Sequence, residues 1–276
     1  MPPSVPGQLM QRLLLHEAMV HAMPGRELRD LGDSLLLLDA ADAEPFWNRL
    51  EAVRWPEETA AFDRRLAEVA VLFASLGRQP HIWISPSHDT PADLAERLLA
   101  NGFEDSGPGY LMVCRDADAA QVVVEAGRAA GAWVERWSAS LGAVPSGLAG
   151  EIVDTLLAAF GINADRDGLL RETNASLADR RFTHYLVREA DEPVAVARAA
   201  TFDGLTYLSS IGTIEGMRGH GLGRLVTATA QLDGVLAGSD WVHLGVYAEN
   251  HQALRLYRGL GFVESGAAGP DMEFVG

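Results

Sequence analysis

The stretch from Gly212 to Val226, GTIEGMRGHGLGRLV, holds five glycines and two arginines ahead of an apolar run with helical spacing. Bare backbone and positive charge at the start of a helix make an anion site. The first-turn N–H groups lack intrahelical partners, the helix dipole is positive there, and missing side chains let phosphate oxygens approach the main chain. The spacing is Arg218-x-x-Gly221-x-Gly223. It is neither the dinucleotide fingerprint G-x-G-x-x-G nor the P-loop with its Gly-Lys-Ser/Thr ending. Taken alone, it reads either as a phosphate cradle or as a tight structural turn.

Such a loop needs a strand before it and a helix after it, and the flanking sequence provides both. FTHYLVRE (182–189), PVAVARAAT (193–201) and LTYLSSIGT (205–213) read as three strands joined at ADE and FDG turns. After the loop come a helix to about Leu236, the strand WVHLGV (241–246), the helix HQALRLYRGLG and a final strand or two. Upstream lie the strand AWVERW (132–137), a helix over SGLAGEIVDTLLAAFG capped by Ser146, and a second helix from Asp167 to Leu177. The order βααβββαβαβ predicts a mixed sheet with helices on both faces.

The N-terminal half repeats this style. Helices are expected from Gly7 to Met23 and over PEETAAFDRRLAEVAVLFASLG, and strands at SLLLLD, HIWIS and GYLMVC, with TPADLAERLLANG as a short helix. The polar, Ala-rich RDADAA (115–120) suits a linker. PADLAERLLANGF ends at Phe103 and HQALRLYRGLGF at Phe262, 159 residues later. Without gaps, that offset lays HIWIS on DWVHL and the helix from Ala60 on the one beginning near Gly219. The chain therefore reads as two copies of one fold, the first over 1–120 and the second over 125–276.

Composition sets outer bounds. The chain has 276 residues, 48% hydrophobic and 22% charged, with net charge −16. Its acidity argues against nucleic-acid and anionic-membrane partners and favours a cationic one. The longest apolar stretches, LLLL (35–38) and VAVLFA (69–74), fall short of the roughly 20 residues of a membrane span. MPPSVPGQLM lacks the pattern of a secretory leader. A cytoplasmic protein is expected. Cys114 is the lone cysteine and reads as a packed core thiol, and the eight histidines form no H-x₃-H or HExxH spacing, so no metal is expected. The tryptophans read mainly as core, with Trp47 and Trp55, in an irregular segment, as candidate exceptions.

With Arg218-x-x-Gly221-x-Gly223 followed by Asn250, Ala253, Tyr257 and GLGF at 259–262, the sequence resembles the GNAT superfamily of acyl-CoA-dependent N-acyltransferases. The resemblance implies an α/β (α+β) fold of two tandem GNAT-like domains, each a mixed, mostly antiparallel sheet flanked by helices. It implies acetyl-CoA as co-substrate, with pantetheine pairing to the strand at Ile211 and Thr213, where a backbone N–H polarises the thioester carbonyl. Amides of Gly219, His220, Gly221, Leu222, Gly223 and Arg224 would hold the pyrophosphate, with charge from Arg218 and Arg224. Tyr257 matches the family's frequent general acid. Asn250 matches a position that contacts the cofactor, or serves as a helix N-cap. The segment IEGMR departs from the pattern, lacking the proline and aromatic that relatives often carry before the arginine. Glu215, Glu249, His184 and Ser209 are candidate bases.

Under the offset of 159, Gly221 and Gly223 fall on Phe62 and Arg64, Tyr257 on Leu98 and Asn250 on Pro91. Side chains would fill the phosphate space, so the first copy is expected to be a degenerate GNAT-like domain without a cofactor loop. The expected activity is acetyl transfer from acetyl-CoA to a primary amine of a small molecule or peptide, by a monomer or homodimer. The alternatives are a non-catalytic acyl-CoA or small-ligand sensor and a purely structural protein.

Overall fold

The computed structural model describes residues 7–161 and 165–276; the opening segment Met1–Pro6, part of the stretch read above for a leader, lies outside the described residues. In chain order the elements are α1 (Gly7–Ala22), β1 (Glu27–Asp30), β2 (Leu35–Leu38), β3 (Arg49–Glu51), α2 (Thr59–Ser75), β4 (His81–Trp83), α3 (Leu94–Leu99), β5 (Phe103–Asp105) and β6 (Gly109–Cys114). They continue with α4 (Asp118–Ala129), β7 (Glu135–Trp137), α5 (Leu148–Phe160), α6 (Arg166–Ala178), β8 (Phe182–Glu189), β9 (Glu192–Phe202) and β10 (Leu205–Thr213). The last are α7 (Leu222–Leu236), β11 (Trp241–Tyr247), α8 (His251–Arg258), β12 (Val263–Glu264) and β13 (Asp271–Phe274). Among the described residues no helix is long and apolar enough to cross a membrane.

The chain forms two compact units. The first runs through Leu111 and takes in Val246–His251 and Glu264–Gly276; the second is Met112–Gly245 with Gln252–Val263. The first unit's sheet has the order β1-β2-β3-β4-β13-β5, antiparallel except for the β3–β4 pair. One face of it, with Leu36, Leu38, Leu50, Ile82 and Met272, packs on Phe62, Val69 and Phe73 of α2 and Leu94 and Leu98 of α3. The second sheet has the order β12-β6-β11-β10-β9-β8-β7, with β10–β11 parallel and β7 to β10 antiparallel. Leu148, Ile152 and Leu156 of α5 and Leu177 of α6 pack against Leu186 and Val196 on one face. α7 packs on β8, β9 and β10, with α4 against it. A Cβ at Gly234 of α7 would lie 2.7 Å from Thr206 Oγ1, so glycine sets the closeness of that helix to the sheet.

These are the expected α/β architecture and helix order, with differences in detail. The division departs from a single cut between 120 and 125. The final strand, β13, belongs to the first unit, and β6, which closes the first half of the sequence, gives Met112–Cys114 to the second. Alternation in DMEF says that Met272 faces opposite to Asp271 and Glu273, but it is silent on which sheet the strand joins. RDADAA leads into α4 rather than forming a linker, since Ala-rich polar sequence suits a surface helix equally well. Gly147, at φ +93°, precedes α5 where Ser146 was expected to cap it.

Candidate functional site

β10 carries a bulge. Its register with β9 shifts between Ser209 and Gly212, and Ser210 sits at φ +51°. The parallel pairing with β11 covers Leu205–Tyr207 against Trp241–His243 and stops there. Ile211 and Thr213 thus lie beyond the last ladder pair with β11, on a stretch whose other side remains tied to β9 through Gly212 and Thr213. Bulges of this kind re-aim backbone groups beside functional sites.

After a short 3-10 turn at Glu215–Met217, Gly219 and Gly221 adopt φ +80° and +81°. Gly221 is the N-cap of α7, and no side chain caps the helix there. The first helical bond runs from Leu225 N–H to Gly221 C=O. A residue with Cβ is strained at Gly221's dihedral angles. At Gly223 the constraint is space, because a Cβ would come within 2.9 Å of Thr213 Oγ1. The two glycines do different work: one turns the chain into the helix, the other lets the helix's first turn lie against the end of β10.

The result is a concave groove of about 360 Å³. Thr213, Met217, Arg218, Gly219, Gly221, Leu222, Gly223 and Arg224 form one wall, and Gln252, Arg255, Leu256 and Gly259 the other. Uncapped N–H groups, a helix N-terminus and three arginines converge on it, an arrangement that recruits anionic oxygens. Two of the three are also tied down. Arg218 Nη2 donates to Ala159 C=O at 2.6 Å, and Arg224 Nη2 to Gly259 C=O at 3.1 Å. Backbone anchoring of this kind pre-sets the position of the charge.

Four of the residues singled out in the sequence stand outside the groove lining: Ile211, His220, Asn250 and Tyr257. His220 Nδ1 bonds the carbonyl of Arg218. Asn250 ends the β11–α8 turn, with its N–H bonded to Tyr247 C=O. Tyr257 lies on the buried side of α8 beside Phe262, and burial pushes its phenol up to about 12. It stays protonated throughout the physiological range. Sequence reading missed Gln252, Arg255 and Leu256, although spacings of three and four along α8 would have placed them on one face; Gly259 was already singled out in the GLGF motif.

Among the candidate bases, His184 is set aside. It is buried against Ser176 Oγ at 2.8 Å, and burial, aided by the Arg198 charge, lowers its pKa to about 3. Ser209 Oγ accepts from Arg198 Nε at 3.1 Å, and Arg198 Nη1 donates to Glu172 Oε1 at 2.6 Å. Glu215 and Glu249 are exposed. Trp55 is core, and Trp47 stacks under the Arg26 guanidinium.

The counterpart region of the first unit is closed. Glu58 caps α2, its carboxylate accepting from Ala60 N–H at 2.8 Å and Ala61 N–H at 2.7 Å, which holds its pKa below the usual carboxylate value. Phe62 is buried in the next turn against Trp55. Ala52 at φ +54° corresponds, one residue out of the strict offset, to Ser210. Beyond it Thr90 N–H bonds Val53 C=O and Trp55 N–H bonds Thr90 C=O, so the chain itself pairs with the strand end.

Residues 151–262 match the family described as Acetyltransferase (GNAT) family, and this segment of the chain is a GNAT acetyltransferase domain. Solved structures of similar fold cover nearly the whole chain. A GCN5-related N-acetyltransferase from Kribbella flavida aligns over 99% of this chain and 97% of its own, with TM-score 0.67 and 20% identity. A functionally unknown conserved protein from Staphylococcus epidermidis aligns over 91% and 94%, with TM-score 0.69 and 13% identity. A tandem GNAT protein from the clavulanic acid biosynthesis pathway aligns over 93% and 86%, with TM-score 0.58 and 15% identity. The fold is thus a tandem GNAT arrangement. A search of curated proteins finds no match.

Proposed function

We propose that the protein is an acyl-CoA-dependent N-acyltransferase that moves acetyl from acetyl-CoA to a primary amine of a small molecule or peptide by direct attack, with one working site per chain in the second unit. The observation that carries this reading is the uncapped N-terminus of α7, opening on an arginine-lined groove, while the matching helix α2 is capped by Glu58. A pyrophosphate suits such a cradle, because Gly221, at φ +81°, turns the chain into a helix whose first-turn N–H groups no side chain caps.

Acetyl-CoA supplies the activated acyl group as a thioester. In this reading the amides of Gly219 to Arg224 and the charges of Arg218, Arg224 and Arg255 hold its phosphates. Ile211 and Thr213, past the end of the β10–β11 ladder, offer backbone groups for the pantetheine arm, and an N–H near Thr213 polarises the carbonyl. Tyr257, kept neutral by burial, is the donor for the departing sulfur. The net charge of −16 favours a cationic acceptor.

The test is replacement of Tyr257 by Phe, followed by separate measurement of acetyl-CoA binding and of acetyl transfer to a panel of amines. Loss of transfer with binding retained supports the enzyme reading. Binding by the parent protein with no transfer to any amine, primary metabolites and peptides included, would instead mark a sensor.

A further inference from the structure

The face of the first unit's sheet opposite α2 and α3 carries Arg49, Glu51, His81, Asp271 and Glu273 beside Leu37 and Trp83. Antiparallel pairing sets Glu273 of β13 opposite His81 of β4, and Asp271 opposite Trp83. Side chains of His81, Asp271 and Glu273 therefore share one face, and one ligand atom from each lies within 4.8 Å of the other two. His81 and Asp271 are buried and bonded to one another through His81 Nε2. Ser106 Oγ lies 3.0 Å from Glu273 Oε1 and 3.1 Å from the Asp271 carbonyl oxygen, its one proton available to either acceptor at the outer edge of the group.

Two further observations point to a ligand. His81 is 1% exposed and its Nδ1 has no hydrogen-bond partner. Glu51, on the same face of β3, is equally buried, and its Oε1 accepts no hydrogen bond, lying 3.4 Å from Arg49 Nη2. The charge balance is uneven. The Arg49 guanidinium, which also touches His21 Nδ1 at 3.0 Å, offsets one of the three carboxylates. Buried charge is costly unless it is paired or coordinates a metal.

We propose that His81, Asp271 and Glu273 bind one divalent first-row transition ion. One imidazole and two carboxylates are borderline donors suited to Zn²⁺ or Mn²⁺, and three protein donors leave further positions for water. The ion would clasp β4 to β13, whose donors His81 and Asp271 stand 190 residues apart in sequence. That separation is also why histidine spacing gave no hint of it. The site is independent of the acyl-transfer reading.

The test uses the untagged full chain stripped with a chelator and titrated with Zn²⁺ or Mn²⁺ by calorimetry, with parallel thermal melts. The expected result is one ion per chain and a melting temperature raised by several degrees at saturation. Glu273→Gln changes a half-buried side chain while keeping its volume, and His81→Gln removes the imidazole. Each should weaken binding at least tenfold, judged in variants whose metal-free melt is cooperative. The absence of stoichiometric binding by the stripped parent chain would overturn the proposal, as would unchanged affinity in Glu273→Gln.

Discussion

The first turns of α2 and α7 occupy corresponding places in two copies of one fold, yet their free N–H groups meet opposite fates. In α2 the chain supplies its own anion: Glu58 bonds Ala60 and Ala61, Phe62 fills the next turn, and Thr90 pairs with the strand end. In α7 a left-handed glycine takes the cap position and donors stay open to a groove lined by Arg218, Arg224 and Arg255. The fold presents a helix N-terminus twice, and local sequence decides whether a side chain caps it or leaves its donors open. A GNAT fold alone therefore does not establish a cofactor site.

Four changes and one control probe this contrast. Tyr257→Phe should lower turnover by about 10²- to 10⁴-fold, as loss of a general acid does, while acetyl-CoA affinity stays within about threefold; single-turnover kinetics with calorimetry would check both. Gly221→Val forces a β-branched residue to φ +81° and should weaken acetyl-CoA binding by about 100-fold, on the order of 2–3 kcal/mol. Equal binding by this variant would mean that the cradle lies elsewhere. Glu58→Ala should lower the first unit's urea midpoint through loss of its helix cap. It should add no second acetyl-CoA site, because Thr90 still pairs with the strand end and no glycine opens the first turn of α2. Arg255→Ala should weaken binding about three- to tenfold and flatten its salt dependence, whereas Arg97→Ala, over Phe62 in the first unit, should leave binding unchanged.

The two units also differ in buried titratable groups. Asp89 in the first has one oxygen without a partner, and burial raises its pKa to about 8. A group whose folded pKa is raised favours folding most below its unfolded value near 4 and loses that contribution as pH climbs towards 8. Asp89→Asn should therefore remove part of the first unit's loss of stability across that window. His184 behaves in the opposite sense: its folded pKa of about 3 means stability held above about 6.5 and lost as pH falls towards 3. Urea melts at stepped pH would read both.

Part of this contrast was legible in the sequence. Arg218, Gly221 and Gly223 lie close together and are chemically unusual, but the fixed offset of 159 set Gly221 on Phe62, whereas the helix starts set it against the cap Glu58, because the loop before α2 is shorter. The three strands from Phe182 to Thr213 were readable because β-branched and apolar runs are bounded by turn residues, and the structure puts Ala190, Asp191 and Asp203 at positive φ there. What escaped was set by tertiary pairing. β13 joins the first sheet through partners over 160 residues away, Glu58 looks like any surface glutamate until its N–H partners are known, and Arg255 reaches the groove only once α8 is docked. Burial of Tyr257, which moves its pKa, likewise has no local signature.

The most direct test of the central claim is a calorimetric titration of the purified protein with acetyl-CoA. The account predicts one site per chain, abolished or strongly weakened by Gly221→Val and untouched by Glu58→Ala. Two sites per chain would contradict the closure of α2, and no binding would contradict the reading of the α7 groove.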